Sequence, residues 1–278
     1  MSANVPSSDL SAQARDVDRD RWLCALFVPP EARDAAMALI LLNRELARIP
    51  ELVSQPVAGM IRYQWWRESV EGAAEGRPRA HPVVEGLSRP LRTGRLSRHA
   101  LLEMIDVRER DLENLAPEDP AALEAYAAAT AGGIQACTAA LLGVDDAAVA
   151  AARDVGTAYG LIGIVRATAS MARQGRTLLP ASLTTEIGIE PADLLGTEAT
   201  EAVRSITRHI TERALALLDR PRPSSARPAT AAMLPGVLAR DYARRIAAVD
   251  YDPAAAATLG HSPLMPLRLW WAYRRGSS

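Results

Sequence analysis

Apolar residues return every three to four positions along almost the whole of this sequence, and alternating runs rich in β-branched or aromatic residues are missing. That spacing lines one face of a helix and cannot line one face of a strand, so the chain is predicted to be all-α. The segment DAAMALILLNRELA (34–47) reads as a buried helix with one polar edge, entered through Pro30, where a missing N–H costs little. Further helices are predicted over 56–71, 98–114, 120–142, 145–172, 191–219, 230–248 and 266–275. Ser97 is a fitting N-cap for the helix from 98, and Gly132 and Gly133 form a close-packing pair within 120–142. Pro and Gly collect between these segments, as in GAAEGRPRAHP (72–82) and RPRPSSARP (220–228). No fixed-period repeat or composition shift divides the chain, which predicts a flexible segment 1–20 followed by one domain, 21–278.

Composition removes several function classes. The 32 basic and 33 acidic residues nearly cancel, so no global field draws the chain to nucleic acid. Every basic residue is arginine, which excludes a Schiff-base lysine, a pyridoxal anchor and a P-loop lysine. Cys24 and Cys137 stand far apart in apolar surroundings and read as buried small hydrophobes. His81, His99, His209 and His261 belong to no short metal-binding pattern. The N-terminus has no apolar signal core, and the longest apolar run, 35–42, is far short of a membrane span. A cytoplasmic bacterial protein is the expectation, its alanine and arginine bias reflecting a GC-rich genome.

For an all-helical enzyme lacking lysine and a histidine cluster, the remaining chemistry is paired carboxylates one helical turn apart, which can hold Mg²⁺ against a phosphate. The acidic run IDVRERDLE (105–113) is the segment that invites this reading. On its residues alone it reads more readily as a solvated face, with Asp106 and Arg110 one turn apart as an internal ion pair.

The order of segments resembles the squalene/phytoene synthase family. The matching stretches are RWLCALFVPPEARDAAMALILLNRELARI, IRYQWWRESVEG, HPV, IDVRERDLE, YAAATAGGI and GTAYGLIGIVRATASMARQGRTLLP, which cover most of 21–180. The resemblance implies a single-domain, type I isoprenoid-synthase helical fold and, in catalytic members, head-to-head condensation of prenyl diphosphates. It also implies two facing DxxxD motifs that bind Mg²⁺. The first falls on ARIPE, with Ala47 at its leading aspartate and Glu51 at its last position. Pro50 interrupts the helix between them and turns Glu51 off the shared face. The second is located by Arg166, Gly175, Arg176, Leu179 and Pro180, and its aspartates fall on Ala167 and Met171. Alanine and methionine offer no oxygen to a hard cation.

The same stretches, with the late AAVDYDPAAAATLGHSPLMPLRLWWAYRR, resemble a branch of that family formed by assembly factors of respiratory complex I. That branch implies no catalytic residue and no cofactor. It implies a complex I subunit or assembly intermediate as partner and a place on the cytoplasmic side of the inner membrane. The alternative is an active prenyl transferase whose rearranged Mg²⁺ site uses Glu51, Asp106 and Asp111. Arg62, Arg67, Arg166, Arg173 and Arg176 lie in segments that border the diphosphate end in catalytic relatives, so they could grip an anion or lipid headgroup without a metal, or else pair with surface glutamates. A retained pocket for a prenyl chain or lipid follows from the first case. Trp65, Trp66, Trp270 and Trp271 are four of the five tryptophans, and LMPLRLWWAYRR has the composition of an interfacial or partner-binding helix as well as of core.

Overall fold

A computed structural model describes residues 7–186, 188–189, 194, 199–221 and 227–276, and among them there are helices and no strands. The expected 34–47 helix is α3 (Pro30–Arg48), preceded by α1 (Ser7–Val17) and α2 (Arg19–Ala25). The flexible segment expected over 1–20 is therefore corrected: it is helical from Ser7 and buries Leu10 and Ala14 against the core. Asp18 ends α1 and caps α2 by accepting from the Arg21 N–H at 2.9 Å.

After a 3₁₀ turn, Ile49–Glu51, come α4 (Pro56–Ala74), α5 (Pro82–Arg92) and α6 (Arg98–Glu109), the last capped by Ser97 as expected. Sequence reading missed α5, whose Gly86 and Pro90 mask its periodicity; Gly86 lies against Ala38 of α3, where a Cβ would come to 3.0 Å. The predicted 98–114 helix ends early, tightening into a 3₁₀ turn, Arg110–Glu113. The 120–142 segment is α7 (Pro120–Ala127) and α8 (Gly133–Leu141), joined by a π-helical turn, Ala128–Gly132.

Next is α9 (Asp146–Ala172), capped by Asp145, followed by α10 (Ala181–Thr185) and α11 (Glu201–Leu218). The expected start of α11 at 191 falls in a stretch mostly outside the described residues. The 230–248 helix is two, α12 (Arg227–Met233) and α13 (Pro235–Ala248), because Pro235 removes the N–H that would continue it. Short α14 (Pro253–Ala257) and α15 (Met265–Arg275) complete the chain.

By length and composition α9 is apolar enough to cross a membrane, yet more than half of its most apolar stretch is buried inside the protein. It is the central helix, flanked by α8, α11, α13 and α14. Its approach to the π turn depends on glycine from both sides. A Cβ on Gly156 would sit 2.5 Å from the Ala131 carbonyl oxygen, and one on Gly132 would sit 2.6 Å from Thr157 Oγ1. Gly160 faces Ala131 at 2.6 Å in the same way. Both cysteines are buried, as expected, and burial raises both thiols, that of Cys137 to about 12, so neither is a nucleophile at neutral pH.

Gly156→Ala should lower stability by about 1–3 kcal/mol through overpacking. Gly163→Ala, on the same helix with nothing within 4 Å of the new methyl, should raise it by about 0.5–1 kcal/mol. Urea denaturation of the two variants checks the sign of each.

Candidate functional site

The two motif regions end up at the C-terminal ends of α3 and α9. Ala47 is half-buried in the last turn of α3, and α3 stops at Arg48 because Pro50 cannot continue it. Glu51 then lies exposed in the 3₁₀ turn, as its position after Pro50 predicts. Ala167 and Met171 are half-buried on the last turns of α9.

Between these ends one set of polar groups pairs internally, while Arg48 Nε at the end of α3 and Arg166 Nε beside Ala167 are buried without a hydrogen bond among the described residues. Arg108 on α6 donates to the Tyr126 hydroxyl at 2.6 Å, to Asp111 Oδ2 at 3.3 Å and to Asn43 Oδ1 at 3.3 Å. Asn43 is one helical turn before Ala47 on α3, so this guanidinium ties α3, α6 and α7 together at the level of the first motif. The Tyr126 hydroxyl donates in turn to Asp111 at 3.0 Å. Burial, reinforced by the Asp111 charge, pushes the phenols of Tyr63 and Tyr126 well above their usual range, so both stay protonated donors. Tyr63 spends its proton on the Leu46 carbonyl at 3.1 Å.

Arg176 closes the cluster from beyond α9, donating to Asn114 Oδ1 at 3.1 Å and to the Asp111 carbonyl at 3.3 Å. Asn114 can present that oxygen because it holds a left-handed conformation, φ 53°, which asparagine tolerates better than most residues.

The five arginines named from the sequence do not form one site. Arg67 on α4 pairs with Asp106 at 2.8 Å and with Glu109. Arg176 belongs to the Arg108 cluster. Arg166 is elsewhere, stacked 3.8 Å over the Tyr242 ring and donating to the Leu259 carbonyl at 3.2 Å. Arg62 and Arg173 are exposed, with no side-chain partner among the described residues.

Nor do Glu51, Asp106 and Asp111 converge. Asp106 is held by Arg67 and Asp111 by Arg108 and Tyr126, while Glu51 stands on a different turn. Among the described residues no three His, Cys, Asp or Glu side chains are grouped to hold a metal. The donor set present does not fit the Mg²⁺ cluster of the catalytic fold. Aspartates one helical turn apart occur once in the sequence, at Asp16 and Asp20. The break at Asp18 leaves Asp16 exposed and buries Asp20, whose oxygens are taken by the Tyr242 hydroxyl at 2.9 Å, the Tyr159 hydroxyl at 3.3 Å and His261 Nδ1 at 2.8 Å.

An interior cavity of about 20 Å³ is lined by Cys24, Ala36, Ile40, Ile134, Gln135 and Thr138 among others. That is room for about one water, whereas ligand sites span roughly 300–1,000 Å³. A lipid or prenyl pocket is not preformed between α2, α3 and α8. Sequence reasoning missed a second polar assembly, in which Arg244, Arg245 and Arg268 surround Asp241. The spacing DYARR makes the local pairs legible, but the arrival of Arg268 depends on how α15 docks.

Comparison with known proteins agrees with this architecture. A family model for squalene/phytoene synthase matches residues 14–270. The chain is 32% identical over 260 residues to assembly factor 6 of NADH dehydrogenase (ubiquinone) complex I from Rattus norvegicus, covering 92% of this chain and 78% of the rat protein. Its structure superposes on that of a dehydrosqualene synthase in complex with ligand with a TM-score of 0.80 at 15% identity, over 97% of this chain and 95% of the other. A squalene synthase from Alicyclobacillus acidocaldarius gives a TM-score of 0.74 at 19% identity, over 89% of this chain and 95% of that one.

Removing the central cation should be costly, because it leaves a nearly buried carboxylate and a phenol without their partner. Arg108→Ala is expected to lose about 3 kcal/mol, whereas Arg67→Ala, whose partners Asp106 and Glu109 are 61% and 28% exposed, should cost clearly less, about 1 kcal/mol. Paired denaturation curves measure the contrast.

Proposed function

This chain belongs to the squalene/phytoene synthase family, and we propose that it is a non-catalytic member serving as an assembly factor for respiratory complex I. The observation that carries this reading is similarity along the whole fold to the rat complex I assembly factor, rather than along a catalytic motif alone. Its partner is a complex I subunit or assembly intermediate. Its place is the cytoplasmic side of the inner membrane, and it needs no metal or organic cofactor.

The side chains at the motif positions support the loss of catalysis. Ionising an allylic diphosphate leaves a multiply charged leaving group that must be neutralised in a cavity of low dielectric. Ala47, Ala167 and Met171 hold no oxygen with which to bring divalent cations there. Arg108 is a fixed cation in the same region, but Asp111 compensates it and three hydrogen bonds occupy it. What this chain retains is a helical body whose motif end is tied together by Arg108, Asp111 and Tyr126, which suits holding a partner rather than turning over a substrate.

An apolar face on α4 is available for that purpose. Val57, Met60 and Ile61 share one side of the helix by their spacing and are 63%, 50% and 66% exposed.

Deletion of the gene should deplete assembled complex I and its NADH:quinone activity, and the wild-type chain should restore both. Complementation by Met60→Glu/Ile61→Glu should be reduced while its thermal unfolding stays like wild type. Farnesyl or geranylgeranyl diphosphate with Mg²⁺ should yield no diphosphate. Normal complex I in the deletion strain together with diphosphate release would establish an active transferase instead.

A further inference from the structure

At the C-terminal end of the fold, α13 and α15 enclose a surface cavity of about 390 Å³ bordered by Asp241, Arg244, Arg245, His261, Ser262 and Arg268. Asp241 is 6% exposed, and its Oδ1 accepts from Arg244 at 2.7 Å and from Arg268. Its Oδ2 has no hydrogen bond, with Arg245 at 3.6 Å. One carboxylate thus gathers three guanidiniums into a fan, leaving two positive charges uncompensated at the cavity. Two of the three heads face water, Arg244 being 66% and Arg268 42% exposed. Arg245 is steadied by its bond to the Gly260 carbonyl at 2.8 Å, and His261 by Asp20.

Arg268 belongs to α15, so the cavity adjoins that helix. Met265 and Leu269 root α15 in the core at 3% and 0% exposure. Its opposite side does the reverse: Leu267, Trp270 and Trp271 are 61%, 46% and 53% exposed, at the spacing that lines one helical face. Arg274 and Arg275 lie over the two indoles, at 5.2 Å from the Trp270 ring and 3.4 Å from the Trp271 ring. Indole beside guanidinium, with a leucine ahead, is the arrangement that seats a helix at the boundary between acyl chains and headgroups.

We propose that this end of the molecule is a docking surface for a bilayer containing anionic phospholipid, with Leu267, Trp270 and Trp271 entering the interface and a headgroup phosphate held by Arg244 and Arg268. The charge pattern selects this occupant. Arg244, Arg245, Arg268, Arg274 and Arg275 are of one sign, and Asp241 is the single acid bordering the cavity. A phosphate offers the planar forks of arginine several acceptor oxygens at once. The inference rests on the peripheral location proposed above and names the surface and the lipid class that location requires.

Flotation of the full-length protein tests it, with vesicles of phosphatidylcholine alone and of equimolar phosphatidylcholine and phosphatidylglycerol. The wild type should float with the mixed vesicles, stay behind with the neutral ones, and be released as salt rises. Arg274→Gln/Arg275→Gln, on the exposed last turn, should lower partitioning by about fivefold per arginine. Arg244→Gln should lower it by a similar factor while leaving Arg268 and Arg245 on Asp241. Trp270→Ala/Trp271→Ala should weaken binding to the same mixed vesicles. Circular dichroism confirms that each variant is folded. Equal flotation with both vesicle types, no flotation of the wild type, self-association that ignores vesicles, or folded variants that bind like the wild type would each overturn the proposal. A chain that ignores vesicles but whose deletion depletes complex I loses this surface and keeps the assembly role. The converse result separates the two the other way.

Discussion

The close crossing of α9 with the π turn is the constraint on which the rest of the structure depends. Gly132, Gly156 and Gly160 remove the side chains that would hold the two backbones apart, so α9 runs through the centre of the bundle instead of over its surface. The π turn joins α7 to α8, and Tyr126 in α7 meets Asp111 and Arg108. With α9 fixed at this depth, its last turns carry Ala167 and Met171 to the end of the bundle, and Arg176 reaches back to Asn114 and Asp111. The position of the second motif region thus follows from a contact made about two turns earlier on the same helix.

The charge balance at that end has its own logic. A site built for divalent cations must leave several carboxylate oxygens without protein partners, a costly arrangement in a half-buried region unless a metal completes it. Here the acids are completed by arginine: Asp106 and Glu109 by Arg67, Asp111 by Arg108. These three carboxylates are therefore compensated from within the chain. The same reasoning explains why the five arginines named from the sequence do not assemble into an anion site. Arg67 and Arg176 are already engaged, and Arg166 is stacked on Tyr242 at the other side of α9.

Periodicity and capping made most of the helices legible: Ser97 and Asp145 act as caps, and Pro50 ends α3 and turns Glu51 outward. Three features escaped for physical reasons. The N-terminal helices carry little apolar signal of their own and are held by Leu10, Ala14 and the Asp18 cap. In α5, Gly86 is required by the approach of Ala38, a tertiary demand that reads locally as a helix breaker. The break between α12 and α13 came from Pro235, which was available to be read but lay inside a strongly periodic run. Polar constellations were the least legible, because their members are remote in sequence. Asp20 meets Tyr159, Tyr242 and His261 from three other parts of the chain, and no local spacing announces such a meeting.

Apolarity alone does not decide which solvent a helix meets. By composition α9 is the segment most suited to hydrocarbon, but its small residues are matched to neighbours, so its apolar surface is consumed inside the fold. The shorter and more charged α15 buries Met265 and Leu269 and leaves its indoles outside. The core therefore offers a membrane nothing, while the last helix offers large amphipathic rings bracketed by guanidiniums. Binding through such a rim keeps the bundle intact. Insertion of α9 would have to surrender the glycine crossing and its packing against α7, α8, α11, α13 and α14, so the proposed membrane contact is one made at the surface.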